Sequence, residues 1–177
     1  MRQVAMLRGI NLGPNRRVPM ADLRQLLADA GFENVKTYVQ SGNIVLSAAA
    51  KPAQLESDLA AVIEERFGFA VPVVVRSRHQ LQEVVDRDPI AGAADQPKLY
   101  QVTFLAAKPS AAAATRLREL ARDPERVAFA GREIYTFHPD GVAGSKLSLA
   151  VVSKVLGAAA TSRNWTTVNR LLEMAAA

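Results

Sequence analysis

The sequence predicts an α+β protein built from two related halves, and three observations carry that prediction. Short runs rich in Val, Ile, Tyr and Phe alternate with period two, and the runs between them recur with a helical period. The order strand, helix, hairpin occurs twice, first from residue 3 and again from residue 99. Leu23-Arg24-Gln25-Leu26 matches Leu117-Arg118-Glu119-Leu120 in the second copy, and Gly42 matches Gly131, as expected of an internal repeat.

Residues 3–8 form the first expected strand, followed by a loop over 10–17 marked by the turn formers Asn11, Gly13, Pro14 and Asn15. A helix over 19–30 follows. Pro19 suits its first turn, and Met20, Leu23, Leu26, Leu27 and Ala30 share one face. Residues 34–40 and 43–47 read as two strands joined by Ser41-Gly42, a two-residue hairpin turn. The next helix, over 52–67, turns Leu55, Leu59, Val62, Ile63 and Phe67 inward; a strand over 71–76 and a short helix over 78–86 complete the half. The order β-α-β-β-α-β is ferredoxin-like and defines a first subdomain at 1–88. Residues 89–97 read as a linker. The second subdomain, 98–177, has a strand over 99–105, a helix over 110–121 and a hairpin of 125–130 and 132–137 around Gly131. A loop over 138–145 and helices over 146–156 and 164–174 end the chain, so this half reads as a β-α-β-hairpin followed by C-terminal helices.

Composition narrows the function. The 177 residues include no cysteine, which excludes disulfides and thiolate zinc sites. No cleavable leader pattern opens the chain, and no stretch reaches the ~20 apolar residues of a membrane span; a cytoplasmic protein without a membrane partner is expected. The two histidines, His79 and His138, stand alone, so no metal site is expected, and no cofactor motif is present. Gly141-Val142-Ala143-Gly144-Ser145-Lys146 resembles a phosphate loop but lacks its spacing. No nucleophile elbow and no paired carboxylates occur, leaving an enzymatic activity undecided.

The formal charge of +5 is unevenly placed. Residues 1–21 contain Arg2, Arg8, Arg16 and Arg17 and no acid; residues 141–172 contain Lys146, Lys154, Arg163 and Arg170 and no acid. In the ferredoxin-like order the first two strands run parallel, so both end at one sheet edge, where the first helix begins. Arg8, Asn11, Arg16, Arg17, Gln40, Ser41, Gly42 and Asn43 are therefore expected around that helix N-terminus, whose free N–H groups favour an anion. Arg8 is the sharpest candidate, because a guanidinium one residue beyond an apolar strand needs a partner. Lys146, Arg163 and Asn164 form a second candidate group, with Thr161, Ser162 or Asn164 as the cap of the last helix. Trp165 reads as core.

Four blocks in order carry a family resemblance. Met6-Leu7-Arg8-Gly9-Ile10-Asn11, Val18-Pro19-Met20, Tyr38-Val39-Gln40-Ser41-Gly42-Asn43 and Thr161-Ser162-Arg163-Asn164-Trp165-Thr166-Thr167-Val168 resemble the signature of the bacterial domain of unknown function family 1697. The chain departs from relatives at Gly13-Pro14-Asn15-Arg16-Arg17, where a glycine pair and lysines are more usual, and at Asp88-Pro89-Ile90, in place of Asn-Pro-Phe. The resemblance implies an α+β fold of two related halves and no established activity. The expectation is binding of an anionic ligand, a nucleic acid or a nucleotide or phosphate compound. The alternatives are a small-molecule enzyme using the same pocket as an electrostatic clamp, and a homo-oligomeric interaction module.

Overall fold

Two four-stranded antiparallel sheets organise the chain in the computed structural model, which describes residues 1–177. The first half runs β1 (Arg2–Leu7), α1 (Met20–Asp29), β2 (Glu33–Tyr38), β3 (Asn43–Ser47), α2 (Pro52–Phe67), β4 (Val73–Ser77) and α3 (Arg78–Arg87). After a 3-10 turn at Ala93–Asp95, the second half runs β5 (Tyr100–Leu105), α4 (Ala111–Leu120), β6 (Arg126–Ala130), β7 (Glu133–Phe137), α5 (Leu149–Leu156), β8 (Ala160–Asn164) and α6 (Trp165–Ala176). The sheets have the orders β2-β3-β1-β4 and β6-β7-β5-β8. The protein is α+β, and no helix is long and apolar enough to cross a membrane.

In the first sheet β1 is central and pairs antiparallel with β3 on one side and β4 on the other. Because β2 is also antiparallel to β3, β1 and β2 run parallel with β3 between them, and both end at one edge. Alternation along the strands sends Ala5, Leu7, Ile44, Leu46 and Val75 to one face. Met20, Leu23 and Leu27 of α1 and Leu55, Leu59 and Ile63 of α2 recur at helical spacing and cover that face. Each fully buried leucine there stabilises the layer by about 1.5–3 kcal/mol. In the second sheet Leu105, Ile134 and Ala160 pack with Leu117 of α4 and Val152 of α5.

The structure corrects the sequence reading of the second half. Residues 160–164 are a strand, so this half is not a hairpin followed only by helices; it repeats all seven elements of the first. The repeat extends to register. Val4 lies opposite Arg76 in β4, and Val102 lies opposite Arg163 in β8. Each of these arginines donates from Nη1 to the carbonyl of the residue before it, Val75 at 2.9 Å and Ser162 at 2.8 Å. Ser77 and Asn164 then occupy equivalent positions and cap α3 and α6: the Gln80 N–H donates to Ser77 Oγ at 3.2 Å and the Thr167 N–H to Asn164 Oδ1 at 2.9 Å.

Three boundaries also move. The first hairpin turn is not Ser41-Gly42 alone: Tyr38 pairs with Asn43, so Val39 and Gln40 join the turn. The two-residue turn belongs to the second hairpin, where Ala130 pairs with Glu133 around Gly131-Arg132. The Leu7 N–H donates to the Gly42 carbonyl at 2.9 Å and the Leu105 N–H to the Arg132 carbonyl at 3.0 Å, so Gly42 is equivalent to Arg132, with Gly131 one place earlier. Finally, α5 starts at Leu149 with Ser148 as its N-cap, which leaves Lys146 in the preceding loop.

By contact the chain divides into Met1–Glu83 with Arg170–Ala177, and Val84–Asn169. The cuts fall inside α3 and α6, whereas the sequence put a boundary at 89–97. Residues of that stretch belong to the second unit's packing: Ile90 and Ala93 are buried, and the Trp165 N–H donates to the Pro97 carbonyl at 3.0 Å.

Candidate anion site

The connection from β1 to α1, residues 8–19, folds around Asn11. Its backbone lies at φ 56°, a left-handed conformation that asparagine tolerates better than most residues. Its Nδ2 donates to the Val18 carbonyl at 2.9 Å and the Gln40 carbonyl at 2.8 Å, while Oδ1 accepts from the Val18 N–H at 2.9 Å. One side chain thus closes the loop and ties it to the 39–42 turn. Arg16, also left-handed at φ 56°, donates from Nε to the Gly9 carbonyl at 3.0 Å and from Nη2 to the Ala70 carbonyl at 2.6 Å. Its guanidinium lies 5.0 Å from the Phe69 ring centroid. Two of its five N–H donors are engaged, which fixes the group and leaves the others available.

Arg8 differs from Arg16. Its N–H donates to the Pro72 carbonyl at 3.0 Å, which anchors the backbone beside β4. Its side chain is half-buried and meets neither a hydrogen-bond acceptor nor a carboxylate within bonding distance. Arg8 and Arg16 line a cavity of about 580 Å³ with Glu64 of α2, Ala60, Val71 and Pro72. A half-buried cation has lost part of its hydration without gaining a partner, which makes an anion in this cavity favourable.

The hairpin residues do other work. Asn43 is fully buried, and its Nδ2 donates to the Tyr38 carbonyl at 3.1 Å and to Ser41 Oγ at 2.8 Å. Gln40 contributes its carbonyl to Asn11. Gly42 sits at φ 72° with its α-carbon so close to β1 that a Cβ would lie 2.6 Å from Leu7 Cβ, a position only glycine can hold. The structure therefore gathers Arg8 and Arg16 on the β4 side of β1 and keeps Gln40, Ser41 and Gly42 within the turn, and Asn43 at the start of β3, on its other side, with Asn11 as the link. Arg17 is exposed on the loop and makes no side-chain bond.

The remaining candidates lie in the second unit. Arg163 donates from Nη1 to Thr161 Oγ1 at 2.8 Å as well as to its neighbour's carbonyl, and burial lowers its pKa to about 10, so it remains a cation at neutral pH. Asn164 is the α6 cap. Lys146 is exposed on a cavity of about 260 Å³ that also presents Arg122, Asp123 and Asp140, so the surroundings are of mixed charge.

Sequence reasoning missed a polar network beside that cavity. His138, 1% exposed, approaches Glu125 Oε1 with Nδ1 at 3.0 Å and Thr136 Oγ1 with Nε2 at 2.9 Å. The Ser145 hydroxyl donates to the same Glu125 oxygen and accepts from the Leu147 N–H at 2.9 Å. Burial opposes ionisation of Glu125, but the bonds from Ser145 and His138 outweigh it and hold the carboxyl below its ordinary pKa of 4.5. Serine and histidine both engage the carboxylate and not each other, so this is a loop clamp, unlike a nucleophile–base relay. Thirteen and twenty residues separate Glu125 from its two partners, and no local spacing signals the contact. Glu64, which lines the Arg8 cavity from α2, was missed for the same reason. No group of three or more His, Cys, Asp or Glu side chains is placed to hold a metal ion.

Comparison with known proteins adds the following. The family described as "Protein of unknown function (DUF1697)" matches residues 1–135. No curated protein matches the chain. Among solved structures, the conserved bacterial protein SP0830 from Streptococcus pneumoniae is similar at a TM-score of 0.81 and 23% identity, covering 98% of each chain. At that identity the likeness concerns the fold.

Proposed function

Because this chain belongs to the family described as "Protein of unknown function (DUF1697)", a description that carries no activity, we propose a function from geometry: the first unit binds a small anion, a phosphate or carboxylate compound, in the Arg8 cavity. The observation that carries the reading is the half-buried Arg8 guanidinium without an internal partner, beside an Arg16 held rigid by two carbonyls. Asn11 and the 39–42 turn serve as scaffold. A small ligand is favoured over a nucleic-acid strand, because the arginines line a cavity and the first unit offers one partly exposed strand aromatic, Tyr38, short of the successive rings a stacking platform needs, while Tyr100, Phe104 and Tyr135 are fully buried. We also assign each half to the ferredoxin-like arrangement; the element order and the strand order β2-β3-β1-β4, with its counterpart β6-β7-β5-β8, support that assignment.

Calorimetric titration with inorganic phosphate and a nucleoside monophosphate at low salt tests the reading. The intact protein is expected to bind saturably. Arg8→Ala removes a charge-assisted contact of about 1.5–3 kcal/mol, so affinity falls about ten- to a hundredfold. Equal affinity of the two proteins removes the site.

A further inference from the structure

The Arg8 cavity holds charges of both signs that do not neutralise one another. Glu64 lines it together with the arginines, and its carboxylate makes no ion pair or hydrogen bond, with Arg8 or with any other group. Glu64 also sits in the last turn of α2, where the helix presents the negative end of its dipole and a carboxylate is disfavoured. Its backbone carbonyl is already occupied by the Gly68 N–H at 2.8 Å. The rest of the lining includes the aliphatic side chains of Ala60, Val71 and Pro72. A simple anion would answer Arg8 but would approach Glu64 with like charge. A ligand with an acidic group at one end, a short apolar body and an ammonium group at the other answers all three features.

We propose that the cavity takes a zwitterion of this kind, an amino-carboxylate or amino-phosphate compound, with its acid on Arg8 and the free N–H groups of Arg16 and its ammonium on Glu64. This rests on the anion reading above and goes beyond it by assigning Glu64 a binding role. Glu64 is exposed, so its contribution is that of a solvent-screened ion pair.

Titration of a series of ω-amino carboxylates, from glycine to 8-aminooctanoate, against plain carboxylates of equal length tests the assignment. The expected result is an affinity optimum at one chain length, where the amino acid binds about two- to fivefold more tightly than its plain counterpart. Glu64→Gln is expected to abolish that preference and leave the plain carboxylate unchanged or slightly tighter. If plain carboxylates or inorganic phosphate bind in an Arg8-dependent manner with no preference for the amine, or if the preference survives Glu64→Gln, the zwitterion assignment is overturned while the anion site stands. If no anion binds in an Arg8-dependent manner, the anion reading fails and the zwitterion with it.

Discussion

The two halves share seven elements and the register of the central strand with its two neighbours, β1 with β3 and β4 and β5 with β7 and β8, but lengthen different loops. The strand-to-helix connection is residues 8–19 in the first half and 106–110 in the second; the hairpin-to-helix connection is residues 48–51 in the first and 138–148 in the second. Both long loops are organised by a polar side chain, Asn11 in one and Glu125 in the other. They differ in what is left over. In 138–148 the donors and acceptors of Glu125, His138 and Ser145 satisfy one another and the exposed charges that remain, Asp140 and Lys146, are of opposite sign on one cavity, whereas 8–19 closes on itself and leaves the half-buried Arg8 unmatched. A shared sheet therefore sets where loops emerge, and the residual charge on a loop, more than its length, marks a candidate for binding.

The turns that close the two hairpins give the sharpest way to break this comparison. At Gly42 an added methyl meets Leu7 Cβ at 2.6 Å and the backbone is at φ 72°; at Gly131 φ is 61° but the nearest atoms, from Arg87 and Glu133, lie at 3.6 Å. Gly42→Ala thus combines left-handed strain of about 1–2 kcal/mol with overpacking of about 1–3 kcal/mol. Gly131→Ala carries the strain alone, about 1 kcal/mol. Hydrogen exchange at the Leu7 amide, which donates to Gly42, and at the Leu105 amide, which donates to Arg132, reports each hairpin separately. Similar loss of protection in both variants would mean that the turns are equivalent and that the close approach of β1 to Gly42 does not matter.

The sequence makes the frame of both halves legible wherever burial writes a period. Helix α2 appears at 52–67 because Leu55, Leu59 and Ile63 recur every four residues, and β3 because its apolar run is bounded by a turn. Strand β8 is invisible for a physical reason. It is an edge strand whose Thr161-Ser162-Arg163-Asn164 offers no apolar alternation, and such residues read as helix caps. Asn164 is in fact a cap, so the signal was real and concealed the strand before it. At the site, Arg8 is legible because it follows an apolar strand. Gln40, Ser41 and Asn43 look like ligand residues for the same reason they build a turn: short polar side chains bond backbone in either role. Glu64 and the Glu125–His138–Ser145 network depend on contacts distant in sequence, which one chain without its fold cannot reveal.

The Glu125 network of the second half predicts a pH response that the 8–19 loop of the first half, which carries no carboxylate, lacks. Glu125 has a carboxyl pKa lowered on folding, so the ionised form contributes stability above the ordinary carboxylate range. That contribution is lost as pH falls from 4.5 through the lower folded-state value, because the unfolded chain takes up the proton first. Glu125→Gln is expected to cost about 1–2 kcal/mol at neutral pH and to flatten the acid limb between pH 5 and 3. Urea melts across that range, with the His138 amide, which donates to the Leu99 carbonyl, as local reporter, check it. An unchanged acid limb would assign the response to other carboxylates and leave the Glu125 network no role in holding the 138–148 loop.

Arg17 gives the smallest effect and the finest discrimination. It lies beside Arg16 on the long loop of the first half, exposed and without a side-chain bond. Arg17→Ala is therefore expected to change stability by no more than about 0.5 kcal/mol. Its charge reaches the cavity only through solvent, where the screening length is about 10 Å at 0.1 M salt. The phosphate affinity of Arg17→Ala should thus fall less than about threefold at low salt, and the difference should vanish as ionic strength approaches 1 M. Arg8→Ala, which removes a contact inside the cavity, should keep most of its deficit under the same conditions. If the two variants lose affinity equally and salt erases both losses, attraction is the diffuse field of an acid-free segment, and the distinction between a loop that binds and a loop that only carries charge collapses.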